Sequence, residues 1–224
     1  MKPLGTIPKW NSTLAYAIGL ITTDGSLSCD RRHINFTSKD KQLVQTFMEC
    51  LELKNKIGRK SRAKEQIKRY YQVQFGNVIL YNWLVELGLK PNKSKTLGTL
   101  KIPDDYFADF LRGHLDGDGS IKVYQDPIWP NSQRIYVTFL SASSEHINWL
   151  RYRIESLFGV IGFMRTAPRV FVLTYSKRES LKLLPSLYYR QDIPCLERKH
   201  KIAENIFKKQ AGVAELARRA TFRA

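Results

Sequence analysis

Cysteine is scarce. Cys29, Cys50 and Cys195 are odd in number, far apart and outside any CxxC pair. That excludes a disulfide framework and a thiolate zinc site, and it points to a reducing, intracellular compartment. The four histidines, His33, His114, His146 and His200, lack metal-ligand spacing as well, so His114 reads as a packing or polar-network residue. Long apolar runs are missing: none reaches 18 residues, and no signal peptide precedes Pro3 and Trp10. The third shortage is acid. Asp and Glu total 20 against 37 Lys and Arg, a net charge of +17 and a pI near 9.9. Such an excess is the footprint of a polyanion partner, nucleic acid ahead of an anionic membrane.

What is present is a repeat. Ala17-Ile18-Gly19-Leu20-Ile21-Thr22-Thr23-Asp24-Gly25 and Leu111-Arg112-Gly113-His114-Leu115-Asp116-Gly117-Asp118-Gly119 each carry a mid-run glycine and end in Asp-Gly, with Asp24 and Asp118 94 positions apart. After each motif comes an alternating hairpin, with Phe36-Thr37-Ser38 in the first half matching Phe139-Leu140-Ser141 in the second. A helical stretch follows (Leu43, Val44, Phe47, Met48, Leu51; then Ile147, Leu150, Ile154, Leu157, Phe158). A second strand pair, a further helix and a lysine-bearing segment close each half. The spacing predicts repeats over 1–95 and 107–209, a linker at 96–106 and a basic tail at 210–224 that is either a helix or a disordered arm. The class is α+β, with two pseudo-symmetric αββαββα half-domains.

A glycine inside a helix costs about 1 kcal/mol relative to alanine. Gly19 and Gly113, at matched positions, point to compensation by close approach of two helix backbones. Helices packed that way bring their C-terminal ends together, adding the carboxylates of Asp24 and Asp118 to the negative ends of two dipoles. Such a cluster repels phosphate unless a cation intervenes, and two carboxylates with backbone carbonyls and water suit Mg²⁺. The chemistry this points to is hydrolysis of a phosphodiester.

On these residues the chain resembles the single-chain LAGLIDADG homing endonucleases over roughly 11–208. The resemblance implies half-domains packed through the motif helices, two saddle-shaped antiparallel sheets along the DNA major groove, and double-strand cleavage leaving short 3′ overhangs. It implies metal binding by Asp24 and Asp118 with the Thr23 or Gly117 carbonyl. It also implies catalytic support from Lys93 and Lys199, with Lys95 and Lys201 as competitors, and water positioning by Ser38 or Ser141. Mg²⁺ or Mn²⁺ would serve; Ca²⁺ would bind without supporting cleavage. The partner would be double-stranded DNA, the protein a monomer with no membrane role. An RNA-splicing maturase or a non-cleaving DNA-binding regulator on the same scaffold is the alternative. The first motif departs from the pattern with Ala17 at its start and Thr22 opposite Asp116, making the half-sites unequal.

Alternation in the strands separates an inner from an outer face. In the first half Ser26, Ser28, Asp30, Arg32, His33, Asn35, Thr37, Lys68, Tyr70, Gln72 and Gln74 are expected outward. In the second these are Lys122, Tyr124, Arg134, Tyr136 and Thr138, with Arg165 and Arg169 in a register that Pro168 can shift. Gln, Asn, Arg and Tyr can reach base edges, whereas Lys56, Lys60, Lys64 and Lys122 suit phosphates. Because the two sets differ, an asymmetric target is expected.

Overall fold

Asn11 starts the first helix by accepting the Leu14 N–H at 2.8 Å, a side-chain cap on one of the orphan donors of the first turn. The computed structural model describes residues 7–61, 69–130 and 132–221. The first half runs α1 (Ser12–Asp24), β1 (Gly25–Leu27), β2 (His33–Ser38), α2 (Lys41–Cys50), β3 (Gly58–Lys60), β4 (Tyr70–Gly76) and α3 (Val78–Glu86). The second repeats it as α4 (Phe107–Asp118), β5 (Ser120–Gln125), β6 (Gln133–Ser141), α5 (Ser144–Phe158), β7 (Phe163–Ala167), β8 (Val170–Tyr175) and α6 (Lys177–Leu187). A final helix, α7, spans Glu197–Thr221, so the segment after 210 is helical through 221.

The sheets are antiparallel and share one topology, β1-β2-β4-β3 and β5-β6-β8-β7. Their inner faces carry the alternate apolar residues read from the sequence: Ile34, Phe36 and Val73 in one, Ile135, Val137 and Phe139 in the other. Helices α2 and α5 lay Phe47 and Leu150 on these faces, both fully buried, as the repeat alignment requires. Among the described residues no helix is long and apolar enough to cross a membrane.

Helices α1 and α4 form the spine. A Cβ on Gly19 would stand 2.7 Å from the His114 amide nitrogen and 2.9 Å from the Gly113 Cα, and one on Gly113 would collide with the Tyr16 carbonyl. Gly117, matched with Thr23 by the repeat, is filled from across the seam: a Cβ there would lie 2.8 Å from Thr23 Cβ. Only one side chain fits between the two motif ends, which gives a steric reason for threonine in one motif and glycine in the other.

The expected linker is pinned along its length. Leu97, Leu100 and Ile102 are buried. The Leu97 carbonyl accepts Ser143 Oγ at 2.5 Å, and the Ile102 carbonyl accepts Arg153 at 3.0 Å. Position 198 crosses the opposite way, with the Arg198 guanidinium on Asp40 at 3.1 Å. Each half's closing segment therefore rests on the other half's sheet-covering helix.

Gly19→Ala or Gly113→Ala places a methyl against backbone that cannot rotate aside. Overpacking of this kind costs about 1–3 kcal/mol, and in a chain of this size each kcal/mol moves Tm by about 2–4 °C. Either variant is expected to melt about 2–12 °C below wild type by circular dichroism. A shift within 1 °C would contradict the close approach.

Candidate active site and nucleic-acid interface

The C-terminal ends of α1 and α4 deliver Asp24 and Asp118 to one place. Burial, then the neighbouring Asp118 charge, pushes the Asp24 carboxyl up to about 7, against the pull of Lys93 and Lys199. Asp118 is more open to solvent, yet the surrounding protein displaces enough water to raise its pKa too, again opposed by both lysines. Two carboxylates that hinder each other's ionisation, at the negative ends of two helices, form an anionic pocket that calls for a cation. Among the described residues no group of three or more His, Cys, Asp or Glu side chains is arranged to hold a metal. A cation here would thus have two carboxylates, carbonyls such as those of Thr23 or Gly117, water and a phosphate as its ligands. That all-oxygen set fits Mg²⁺, which keeps several waters.

Lys93 and Lys199 are buried and point inward, whereas Lys95 and Lys201 are exposed. Each buried ammonium donates to the carbonyl of the glycine that follows its own motif's final aspartate: Lys93 to Gly25 at 2.5 Å, Lys199 to Gly119 at 2.7 Å. Burial lowers both to about 8, and the carboxylates nearby hold them up. They remain cationic at neutral pH.

A polar lock that sequence reading missed surrounds Asp116. Its carboxylate accepts Tyr16 Oη at 2.8 Å, the Leu196 N–H at 2.7 Å and Tyr188 Oη at 3.3 Å. Burial lifts its pKa; Lys199, the Leu196 N–H, Tyr16 and Arg112 hold it back. One turn earlier the fully buried Arg112 pairs with Asp109 at 2.7 Å and donates to the Leu187 and Pro194 carbonyls, both at 2.9 Å. These contacts tie the segment entering α7 to α4. The first half has Thr22 and Ile18 at the matched positions, and Thr22 Oγ1 simply donates back to the Ile18 carbonyl at 2.8 Å. The motif inequality was visible in the sequence; its partners, some 80 positions away, were not.

Beside Asp118 lies a cavity of about 270 Å³, walled in part by Thr23, Lys93, Asp118, Ser141, His114 and His146. The two imidazoles stack at 5.4 Å with Nε2 atoms 3.3 Å apart. His146 Nδ1 meets the Gly98 carbonyl at 3.0 Å, so it carries the proton and leaves Nε2 to accept from His114 Nε2–H. His114 Nδ1 is then a bare acceptor with no partner among the described residues. Burial depresses both histidines, His146 to about 4. His114 is indeed a polar-network residue. Ser141 faces this cavity, whereas Ser38 is buried and accepts the Asp40 N–H at 3.2 Å.

On the outer face of the first sheet, Ser26 lies opposite Asn35, and Asn35 opposite Gln74; Thr37 lies opposite Gln72, and Lys60 opposite Tyr70. His33 and Ser28 continue this face toward the hairpin turn. Asp30, exposed with Arg32, is engaged by its own turn: its carboxylate takes the Arg32 and His33 N–H groups, both at 3.0 Å, and the His33 ring at 2.5 Å. Those bonds pull its pKa to about 2. In the second sheet Lys122 pairs with Tyr136 and Tyr124 with Arg134, all outward, and Thr138 lies on the same face opposite the buried Thr174. Arg165 is outward, across from Val172. Arg169 lies in the β7–β8 turn at φ +68 rather than in a strand, because Pro168 forces the bend one residue before it. The far edge of this face is apolar (Phe163, Val170, Val172), a feature foreshadowed by the missing polar alternation at 170–173. Lys64 and Lys68 lie outside the described residues.

Residues 11–83 match the family model of the LAGLIDADG-like domain. Structural likeness covers nearly the whole chain. Full-length WhiA from Thermatoga maritima overlays at TM-score 0.55 and 14% identity, covering 96% of this chain and 69% of that one. The LAGLIDADG homing endonuclease I-LtrWI, bound to its target DNA, overlays at 0.58 and 14% identity, over 90% of this chain and 91% of that one. I-DmoI in complex with DNA and Ca overlays at 0.57 and 16% identity, over 86% and 97%. A curated relative, a component of the A-type ATP synthase of Methanopyrus kandleri, is 26% identical over 115 residues, 51% of this chain, and the chain spans about a tenth (11%) of that protein's length. The chain has the LAGLIDADG fold, two four-stranded antiparallel sheets joined through the motif helices.

The histidine pair gives the fold an acid limit of known sign. A His with depressed folded pKa leaves the unfolded chain to take the proton first, so stability is lost as pH falls from about 6.5 toward about 4. The raised pKa of Asp24 acts with opposite sign as pH falls from about 7 to about 4, so the decisive comparison is with a variant rather than the bare slope. His146→Leu, the residue that the repeat places at position 43, is expected to lose less Tm than wild type between pH 7 and pH 5 in thermal melts. Parallel Tm–pH curves would contradict the neutral buried pair.

Proposed function

From this fold and its paired carboxylates we propose that the protein is a site-specific, double-strand DNA endonuclease dependent on a divalent cation. The observation that carries the reading is the convergence of Asp24 and Asp118 at two helix ends, flanked by two buried lysines. A chain that only bound nucleic acid would gain nothing from two carboxylates that repel its ligand's phosphates. The net charge of +17 and the polar outer faces supply the affinity.

A cation held by Asp24 and Asp118, with the Thr23 or Gly117 carbonyl, would neutralise charge at the scissile phosphate and acidify water beside it. The chain's own groups do the rest. The two sheets hold the duplex so that one phosphodiester of each strand meets the carboxylate pair. Asn35, Gln72 and Gln74 can bond base edges in the major groove, and Lys60 a phosphate. Because the matched outer positions differ between sheets, the target is asymmetric and is met by one chain acting as a monomer.

Selection of cleaved sites from a randomised DNA library with Mg²⁺ should yield a long, non-palindromic sequence. A plasmid bearing it should be linearised, and Asp24→Asn or Asp118→Asn should slow this at least 100-fold. Either variant cutting both strands at the wild-type rate contradicts a shared site. Tighter binding to structured RNA than to duplex at equal salt would instead favour a splicing role, and duplex binding without cleavage a regulator. On the sheet, Gln74→Ala should relax base preference at one or two positions. Lys60→Ala should weaken all sequences alike and lower the log–log salt slope by about 1, as loss of one phosphate contact requires. A Lys60→Ala effect confined to one sequence would contradict the phosphate role.

A further inference from the structure

The two active-site lysines look equivalent in sequence and are not equivalent in the structure. An ammonium has three N–H groups. Lys199 Nζ donates to three main-chain carbonyls, Leu115 at 2.5 Å, Asp116 at 3.0 Å and Gly119 at 2.7 Å, and only 2% of the residue is exposed. It has no N–H left for a phosphate or a water. Lys93 is also buried, 6% exposed, but among the described residues its Nζ donates only to the Gly25 carbonyl, and it forms part of the wall of the 270 Å³ cavity beside Asp118. The cavity is wide enough for several waters and mixes polar groups with Leu97, Leu140 and Val170 in its wall, where His114 Nδ1, without a partner among the described residues, is an acceptor that a water can satisfy.

The difference follows from the motifs. Asp116 binds the Leu196 N–H, which fixes the first turn of α7 so that Lys199 lies across the last carbonyls of α4. Thr22, turned back on its own helix, offers the 89–93 segment no such tie. We infer that Lys93 is the catalytic lysine, meeting a non-bridging oxygen of one scissile phosphate from the cavity on the Asp118 side, and that Lys199 is a strut that holds the end of α4 and touches no DNA. The inference rests on the nuclease reading for its substrate, and on the hydrogen-bond count for the division of labour. Its consequence is that the two strands depend unequally on Lys93.

The test uses the full chain with Lys93→Ala and Lys199→Ala. Single-turnover cleavage is followed on duplex with each strand separately labelled, at a temperature where circular dichroism shows both variants folded. Lys93→Ala is expected to slow one strand at least 100-fold and the other less than about 3-fold, so that nicked DNA accumulates. Methylammonium, small enough for the cavity, should restore at least 10-fold of the lost rate. Lys199→Ala should melt at least 5 °C lower, affect both strands alike and gain nothing from methylammonium. Equal slowing of both strands by Lys93→Ala, or rescue of Lys199→Ala in its place, overturns the assignment. Reductive methylation of the wild type, read by peptide mass spectrometry, probes the division without activity: Lys93 should react at least 10-fold faster than Lys199, and equal rates overturn it. If the wild type cuts no selected DNA, the nuclease reading fails and takes the catalytic role of Lys93 with it, while the methylation ratio and the melting difference still decide the strut.

Discussion

Backbone contact between α1 and α4 at Gly19 and Gly113 is the constraint from which the rest of the architecture follows. Once two helices approach until Cα meets Cα, no side chain can separate them, and their C-terminal ends must converge. Convergence puts two aspartates and two dipole ends in one pocket, an arrangement that is unfavourable alone and useful to a cation. It also orients the sheets, since β1 leaves α1 and β5 leaves α4 with one intervening residue at most. The glycine penalty of about 1 kcal/mol per site is small beside the burial of nine residues on each of these helices.

The second organising feature is the crossing of the closing segments. Residues 97–98 bond Ser143 and His146 of the second half, and residues 195–198 bond Asp40 and Gln42 of the first. Each lysine returns from that crossing to the end of its own motif helix. The halves are thus linked at the spine and again at the periphery, and the acidic pocket is closed by cations from both sides. Pseudo-symmetry holds for backbone and for charge. It fails for the polar interior, where Arg112, Asp116 and their tyrosines have no counterpart at Ile18 and Thr22.

Much of this was legible in the residues. The repeat fixed the order of elements, because Phe36, Phe47, Phe139 and Leu150 keep their spacing and their burial. The outer faces of β2, β4, β5 and β6 followed from alternation alone. Arg169 could not be placed that way, since a turn absorbs a residue without changing the pattern on either side of it. Nor could the Asp116 lock or the His114–His146 cavity, because local periodicity says nothing about which distant loop returns to a helix end. The difference between buried Lys93 and exposed Lys95, and between Lys199 and Lys201, had the same origin: a two-residue offset turns a side chain to another side, and only packing fixes which side faces in.

The central claim is that the two motifs make one metal-dependent site on DNA. Its most direct test is a crystal structure of the complex with a selected target grown in Mn²⁺ and measured at the manganese absorption edge. The account predicts anomalous density between the Asp24 and Asp118 carboxylates, with a phosphate of each strand beside it and the sheets in the major groove. Density elsewhere, or DNA lying away from the sheets with none between the two aspartates, would contradict it.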